Sequence, residues 1–510
     1  MVQVNVVWLK RDIRWRDHEA LNDALKEGIP VIIIHFFEPS LMAAKTSSNR
    51  HWRFVFESLK DLENTIQPKS KNKNSINIAH CEVEMGFHLL SQHFNIKKVF
   101  SYQETGNAIT YARDKSMAKW MNKRGIKWTE LQTNGVQRGR KNRIDWSAAF
   151  EQRMTSTEVF PDLKNAELVC LNKALNAKLN QERLPHKITK RDSRFQPGGE
   201  SWAIKYLKSF LTDRSRNYSK GISKPEWSRK TCSRLSPYLT WGNISMRTLF
   251  NEMDRHYDQI PNKRAVINWR SRLYWHCHFI QKFEMEERYE FENINRGFDV
   301  MPLQKNGNYI KAWEEGKTGY PLVDACMRCV AETGYLNFRM RAMVVSFLTH
   351  NLLQPWQTGT GFLARNFLDY EPGIHYPQFQ MQAGMTGTNT FRIYNVVKQA
   401  EEHDPKAEFI KKWVPELREL PTEFALKPWE MTDLEQSMYS FKLGVDYPKP
   451  IVDHEETARQ SKRMLTDVMK TERAKLEAKR ILATHVRLSD KKAHRSKSDQ
   501  LLKAKLEKDA

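Results

Sequence analysis

The chain has 510 residues, with 83 Lys and Arg against 60 Asp and Glu, and its formal net charge at pH 7 is +23. This length exceeds that of one ordinary domain, and the positive charge favours a polyanionic partner, with nucleic acid ahead of an anionic membrane surface. The six cysteines are scattered, which argues against a secreted disulfide scaffold and favours a reducing compartment. No segment has the composition of a secretion signal or a membrane span, so we expect a soluble cytoplasmic protein.

Residues 1–150 alternate between short apolar runs and segments with helical apolar spacing. Residues 4–9 and 31–37 are β-branched and aromatic runs, typical of strands that are buried on both faces. Between them, residues 17–27 have helical spacing, with Asp17 as the expected N-cap and Gly28 as the expected stop. This alternation predicts an α/β domain, Rossmann-like, with a parallel sheet covered by helices on both faces. Further elements are predicted as helices at 51–66 and 109–121 and strands at 97–102 and 126–131.

Residues 151–200 are mixed and polar and end in a Pro-Gly-Gly sequence at 197–199, which indicates an interdomain connector. Residues 201–430 contain dense Trp and Tyr and predict a large all-helical domain. Cys326 and Cys329 form a CxxC that no second Cys pair follows, so we interpret it as helix packing and predict no metal site. The clearest helices are predicted at 202–211, 246–257, 265–283 and 321–352.

Residues 431–510 form a basic C-terminal extension, helical or disordered. From residue 455 onward the chain is rich in Lys, Glu, Ala, Arg and Leu and lacks Trp, Phe and Gly. We interpret this stretch as a solvated, partly disordered segment with some helical propensity. The alternative is a non-specific DNA-binding arm.

Three segments carry a family resemblance. The first is VVWLKRDIRWRDHEAL at 6–21, a buried strand that runs into a charged loop before a helix. The second is CSRLSPYLTWGNIS at 232–245, where small hydroxylic residues in a turn before a helix suit a phosphate group, although a plain helix cap also fits. The third comprises EGKTGYPLVDACMRCVAETGYLNFRMRAMVVSFL at 315–348 and FRIYNVVKQAEEHDPKAEFIKKWVPEL at 391–417. Together they resemble the photolyase/cryptochrome family from residue 4 to about residue 429.

The resemblance implies an FAD cofactor in the helical domain. Arg341 and Asp369 match an Arg–carboxylate pair close to the isoalloxazine ring, where a fixed guanidinium would stabilise an anionic reduced flavin. The residue types alone fit a helix-to-loop salt bridge equally well. Besides this pair, the positions matching family residues that contact FAD or line its cavity are Tyr218, Cys232, Ser233, Arg234, Leu235, Ser236, Trp269, Arg272 and Trp275.

The lesion contacts depart from the family pattern. The dimer-contacting Glu of the family aligns with Arg272, and the Asn of its W-M-H-N-R segment aligns with Phe338. The two His residues of the (6-4) enzymes are replaced by Phe338 and Ala342, and no cysteine after Cys329 is available for an iron–sulfur cluster. The predicted DNA or lesion contacts are Arg272, Trp275, Phe338 and Phe379.

The electron relay implied by the resemblance is incomplete. Trp356 matches its middle member, whereas the flavin-proximal member falls near Pro377 and the surface member near Leu303. Aromatic hopping through Tyr376 is one alternative, and simple packing of these rings around the flavin is the other. Glu104 resembles a folate-contacting position, which leaves open a second, antenna chromophore of folate or flavin type.

The sequence thus predicts a monomeric deoxyribodipyrimidine photo-lyase. Its expected reaction is the light-dependent repair of cyclobutane pyrimidine dimers in UV-damaged DNA by electron transfer from photoexcited reduced FAD. The first alternative is a cryptochrome-type blue-light photoreceptor with the same FAD fold and no repair activity. The second is a flavin-free nucleic-acid-binding protein on an inherited scaffold.

Overall fold

The computed structural model describes residues 1–388 and 390–485. The apolar runs near the start of the chain form a five-stranded parallel sheet in the order β3-β2-β1-β4-β5. Strand β1 pairs with β2 on one side and β4 on the other, so the connections leave β1 in opposite directions. The carboxyl ends of β1 and β4 therefore form the switch point at which open α/β sheets bind ligands. The strands are β1 (Val2–Leu9), β2 (Val31–Phe36), β3 (Asn77–Ala79), β4 (Phe94–Tyr102) and β5 (Lys127–Leu131).

Helices cover both faces of this sheet, because alternate strand residues enter two separate cores. Val7 and Ile33 belong to one core, and Trp8 and Ile32 to the other. The predicted parallel α/β arrangement is confirmed, although β3 and α4 were not predicted. The helices of this part are α1 (Glu19–Lys26), α2 (Pro39–Met42), α3 (Asn49–Ile66), α4 (Val83–His93) and α5 (Ala108–Asn122).

The predicted N-cap of α1 is wrong. Asp17 has φ +52°, and the cap is His18, whose Nδ1 accepts a hydrogen bond from the Leu21 amide at 3.0 Å. The Asp17 carboxylate instead pairs with Arg247, which lies in the first turn of a later helix, Met246–Arg255. The predicted stop at Gly28 is confirmed by its φ of +65°.

The chain between residues 146 and 212 packs against the sheet. Leu168 forms an isolated parallel bridge with Val31, and Leu175 and Leu179 are buried in the core beside α4. Because this segment is polar in overall composition, its sequence did not indicate that these residues are buried. Its helices are α6 (Trp146–Met154), α7 (Lys173–Leu179), α8 (His186–Thr189) and α9 (Glu200–Thr212).

The rest of the described chain is helical. The predicted continuous helix at 321–352 is wrong, because Gly334, with φ +73°, ends one helix and a second begins at Phe338. Cys326 and Cys329 are buried side by side in the first of these, as the packing interpretation requires. The helices are α10 (Tyr218–Gly221), α11 (Pro225–Thr231), α12 (Ser236–Thr240), α13 (Met246–Arg255), α14 (Lys263–Met285), α15 (Gly307–Glu315), α16 (Pro321–Thr333), α17 (Phe338–Ser346), α18 (Gln357–Asn366), α19 (Pro372–Gln382), α20 (Val396–His403), α21 (Glu408–Trp413), α22 (Thr422–Leu426) and α23 (Asp433–Met438).

Two further helices, α24 (His454–Lys470) and α25 (Glu472–His485), end the described chain. Leu465 and Ile481 are buried, and a Cβ on Gly297 would lie 2.4 Å from the Ala474 Cα, so α25 is tightly docked. The interpretation of residues 455–485 as a solvated, partly disordered extension is therefore wrong. The remainder of the predicted extension, 486–510, lies outside the described residues.

Within 1–388 and 390–485, no helix is both long enough and apolar enough to cross a bilayer.

Candidate functional site

The turn at 232–236, just before α12, presents a run of unpaired donors. Arg214 donates to the backbone oxygens of Cys232 and, at 3.2 Å, of Ser233, which holds the carbonyls on one side of the turn. Among the described residues, the amides of 233–235 and the hydroxyls of Ser233 and Ser236 have no hydrogen-bond partner. Consecutive free amides form a cradle for an anion, so the turn has the chemistry of a phosphate site.

The other side chains of this turn support its backbone. Arg234 has φ +62°, and its guanidinium lies 3.6 Å from the ring centroid of Tyr335 and donates to Gln196 Oε1 at 2.6 Å. Leu235 is buried. Burial raises the pKa of the Cys232 thiol to about 11, so the thiol is neutral at pH 7. No local motif indicated Gln196, Arg214 or Tyr335, because each lies far from the turn along the chain.

One face of helix α14 carries two of the predicted cofactor-binding residues and a histidine. Trp269, Arg272 and His276 share that face, and Trp269 is buried edge-on against Phe210 with ring centroids 4.8 Å apart. Burial raises the pKa of Tyr218, the predicted partner on α10, while the charge of Arg272 opposes that rise. Tyr218 therefore lies within electrostatic range of both Arg272 on α14 and Cys232 in the turn.

His276 was not predicted as a site residue. Its Nδ1 is buried and has no hydrogen-bond partner within the described chain. Burial lowers the pKa of His276 to about 4, against the opposing charge of Asp369, so the ring is neutral at pH 7. A buried and unpaired ring nitrogen within electrostatic range of a carboxylate indicates a position prepared for a polar ligand.

Arg341 and Asp369 form the predicted ion pair. Arg341 Nη2 lies 2.9 Å from both carboxylate oxygens, and Nε donates to Leu336 O at 2.8 Å. The guanidinium stacks over Phe367 at 4.0 Å, which fixes its plane. The hydrogen bonds of Arg341 within the described part of the chain use Nε and Nη2, so Nη1 remains available as a donor.

The ion pair and the turn stand at opposite ends of α12. Thr240 Oγ1, at the end of that helix, donates to Asp369 O at 3.4 Å. Trp241 Nε1 donates to Leu368 O at 3.3 Å. A single elongated ligand with a phosphate at one end and a polar ring at the other can therefore contact both.

The aromatic side chains that follow Asp369 pack around His375. Its ring centroid lies 5.2 Å from Tyr370, 5.4 Å from Tyr376 and 5.0 Å from Phe379. Phe379 is only 3 % exposed, which places it in the interior rather than on a surface that DNA could reach. Trp356 is likewise buried, and its Nε1 donates to Asn293 Oδ1 at 2.8 Å.

The other predicted DNA contacts face solvent. Trp275 is 41 % exposed and Phe338 is 51 % exposed, and Arg272 is also exposed. Lys282, another cation of α14, differs because burial and the nearby Arg143 lower its pKa to about 8.

The region around Glu104 is occupied by protein side chains. Glu104 lines a cavity of about 70 Å³ at the carboxyl edge of β1, β2 and β4. Although burial alone would raise it, the charges of Arg113 and Arg11 lower the pKa of Glu104. Arg11 also pairs with Glu371 at 2.9 Å and so joins this region to the start of α19.

Two family models match the chain: "DNA photolyase" over residues 5–138 and "FAD binding domain of DNA photolyase" over residues 269–467. The turn at 232–236 lies between the two matched ranges. Its unpaired amides, the ion pair and His276 fit FAD, which is the cofactor of this chain. The hypothesis of a flavin-free protein is therefore wrong.

Relatives of both functional classes are similar to this chain. A cryptochrome DASH of Synechocystis is 26 % identical over 90 % of this chain and 97 % of its own. A deoxyribodipyrimidine photo-lyase of Alkalihalophilus pseudofirmus is 27 % identical over 90 % and 97 %. The crystal structure of a Synechocystis cryptochrome, 22 % identical, superposes with a TM-score of 0.81 over 91 % of this chain and 99 % of that one.

Proposed function

The chain belongs to the photolyase/cryptochrome family, and on that premise we propose that it repairs cyclobutane pyrimidine dimers in DNA in the light. The bound FAD, reduced and photoexcited, supplies the electron that splits the dimer. The observation that carries the proposal is the Arg341–Asp369 pair. Its rigid guanidinium keeps Nη1 as a free donor, which favours a negative charge on a reduced flavin beside it.

The surface chemistry supports DNA as the substrate. The net charge of +23 attracts the phosphate backbone, and Arg272 supplies a cation beside the site. Trp275 and Phe338 offer exposed rings on which a flipped base can stack. Both rings reach solvent, so the protein need not unfold to make these contacts.

A second candidate function is that of a blue-light photoreceptor without repair activity. Arg272 and Phe338 stand where the common repair enzymes have Glu and Asn, and this replacement favours the alternative. Relatives named as cryptochromes and as photo-lyases match over similar shares of the chain.

The test is a light-dependent repair assay. Photoreduced, FAD-loaded protein is incubated with an oligonucleotide that contains a cyclobutane dimer, in light and in darkness, beside a (6-4) oligonucleotide. We expect loss of the cyclobutane dimer in the light only. Failure to repair either lesion by a photoreducible protein contradicts the proposal and favours the photoreceptor.

A pair of tryptophan variants tests whether the exposed Trp275 contacts DNA. Trp275→Ala should weaken binding of the damaged strand by about 10- to 100-fold, because stacking of one base contributes about 1–3 kcal/mol. Trp202, on α9, is 40 % exposed and serves as the control, since Trp202→Ala removes an equally exposed ring elsewhere. Equal effects of the two substitutions contradict a role for Trp275 in DNA binding.

A further inference from the structure

An exposed tryptophan lies on α11, the short helix that ends directly before the turn at 232–236. Trp227 is 47 % exposed, and the Lys224 Nζ lies 4.9 Å from the centroid of its ring, over one face of it. Lys230 follows Trp227 by three residues on the same helix, so its exposed side chain projects on the same side. We call Lys224, Trp227 and Lys230 the α11 face. It consists of an aromatic ring between two cations, with the second face of the ring open to solvent.

The α11 face carries positive charge that the protein does not neutralise. Residues 214–231 contain six Lys and Arg against one acid, Glu226. Glu226 Oε1 accepts from the Lys412 Nζ at 2.8 Å, and among the described residues no carboxylate pairs with Lys224 or Lys230. Unpaired lysines on both sides of an exposed ring suit a partner that alternates phosphates with flat bases, which is the chemistry of a DNA strand.

The opposite side of α11 is fixed to the rest of the protein. Arg229 Nη1 donates to the Thr333 Oγ1 at 3.3 Å, at the end of α16. A Cβ on Gly221 would lie 2.1 Å from the Thr231 Oγ1, so α10 is packed closely against the last turn of α11. Because the helix is held in place, the α11 face loses little backbone freedom when it binds a ligand.

A hydrogen bond joins the start of α11 to the surface that is proposed to contact the lesion. Asn337 Nδ2 donates to the Ile222 O at 3.0 Å, in the connection between α10 and α11. Asn337 directly precedes Phe338, which is 51 % exposed at the start of α17. The segment that carries Trp227 and the segment that carries Phe338 therefore meet at one point, so a DNA strand that reaches Phe338 can continue over Trp227.

We propose that the α11 face binds the undamaged part of the DNA strand beside the lesion. Trp227 stacks on one base of that strand, and Lys224 and Lys230 contact its phosphates. This inference rests on the proposed function for its choice of DNA as the partner. A base can stack on the ring only when it leaves its own stack, which costs least beside a lesion or in a single strand. The contact itself requires no lesion, so undamaged single-stranded DNA is the probe.

The test titrates the full-length, FAD-loaded chain in the dark against a fluorescein-labelled, undamaged single-stranded oligonucleotide, with fluorescence anisotropy as the readout. Trp227→Ala should raise the Kd about 10- to 100-fold, because it removes the surface on which one base stacks. Trp227→Phe keeps an aromatic ring and should retain most of the affinity. Lys230→Ala should lower the slope of log Kd against log salt by about 0.7, the value for one phosphate contact to a single strand.

The matched control is Trp202→Ala. Trp202 is 40 % exposed on α9, and the Lys205 Nζ lies 4.4 Å from its ring, so the local pair of groups is the same. Its position differs, because the neighbouring Ser201 amide donates to Asp61 Oδ2 at 3.0 Å, where α9 meets α3. This variant should keep the wild-type Kd. Equal losses of affinity in Trp202→Ala and Trp227→Ala, or an unchanged salt slope in Lys230→Ala, overturn the inference.

The absorbance of bound FAD and the melting temperature show whether each variant is folded, and both should match those of the wild type. A membrane is the other polyanionic surface that an exposed ring and lysines can bind. Unchanged DNA affinity in Trp227→Ala, together with weaker binding to vesicles that contain phosphatidylserine, overturns the assignment to DNA.

The repair assay separates this inference from the proposed function. If the wild type binds the undamaged strand through Trp227 and repairs no dimer, the α11 face is supported and the proposed function is contradicted. If the wild type repairs the cyclobutane dimer and Trp227→Ala binds the undamaged strand equally well, the proposed function is supported and the α11 face is contradicted.

Discussion

Replacing Asp17 by Asn tests whether this residue caps a helix or joins two distant parts of the chain. The Asp17 carboxylate accepts from Arg247 Nε at 2.9 Å, from Ser245 Oγ at 2.5 Å and from the Val159 amide at 3.1 Å. Asn and Asp are equally good N-caps, so a simple capping role predicts almost no change in stability. Loss of one partner from a buried ion pair costs about 3–5 kcal/mol.

The expected loss corresponds to a large change in the apparent melting temperature. At the about 2–4 °C per kcal/mol that holds for domains of about 150–250 residues, Asp17→Asn should lower it by roughly 6–20 °C. Differential scanning fluorimetry at pH 7 measures this difference. The control is Asp258→Asn, because the Asp258 side chain is 99 % exposed.

The pH dependence of the difference follows from the pKa of Asp17. Burial alone would raise it, but hydrogen bonds from Arg247 and the charge of Arg14 lower it below its usual 3.8. A carboxyl with a lowered folded-state pKa stabilises the protein above its unfolded pKa, and this stability is lost as the pH falls through the folded pKa. The gap between wild type and Asp17→Asn should therefore be constant from pH 7 to about pH 5 and close in stronger acid. A shift no larger than that of Asp258→Asn refutes the ion-pair explanation.

Three further predictions concern the cofactor, the C-terminal helix and DNA. Asp369→Asn should weaken FAD binding about 10- to 100-fold in an equilibrium titration, because bonds to a charged partner are worth about 1.5–3 kcal/mol; an unchanged Kd contradicts this role. Ile481→Ala should destabilise the protein by about 2–5 kcal/mol in urea unfolding, whereas Leu476→Ala on the same helix, 61 % exposed, should change stability by less than about 0.5 kcal/mol. Arg339 follows the exposed Phe338 in the first turn of α17, and a phosphate contact there predicts that Arg339→Ala lowers the slope of log Kd against log salt for DNA by about one; an unchanged slope argues against that contact.

The parts of the fold that the sequence predicted are those where local pattern and burial agree. The buried runs that became β1 and β2 are mostly apolar, with Asn5 and His35 as buried polar exceptions, so a parallel sheet followed from them. Strand β3 has three residues, and Asn77 within it is polar because its side chain pairs with Ile33 O and Val169 O, which no local pattern indicates. Helix α25 was not predicted as a packed helix, because its sequence is highly charged and only a few of its positions, such as Ile481, are buried.

The candidate site was predictable only in part, because its geometry depends on contacts between distant segments. Arg341 and Asp369 are 28 residues apart, and only the family resemblance predicted that they form a pair. In the structure Arg341 Nη2 lies 2.9 Å from Asp369 Oδ1. The supporting residues Arg214 and Tyr335 have no motif of their own. Their roles come from carbonyls and rings that approach them in the folded chain.

The segment after Asp369 shows why a correct fold does not by itself give the chemistry. The resemblance placed the flavin-proximal relay position near Pro377, a residue with no oxidisable ring, and that prediction is not tested by the fold. Tyr370 and Tyr376 are both phenols, and the sequence does not distinguish their roles. In the structure the two hydroxyls are hydrogen-bonded to each other at 3.3 Å, a contact that no local sequence pattern indicates.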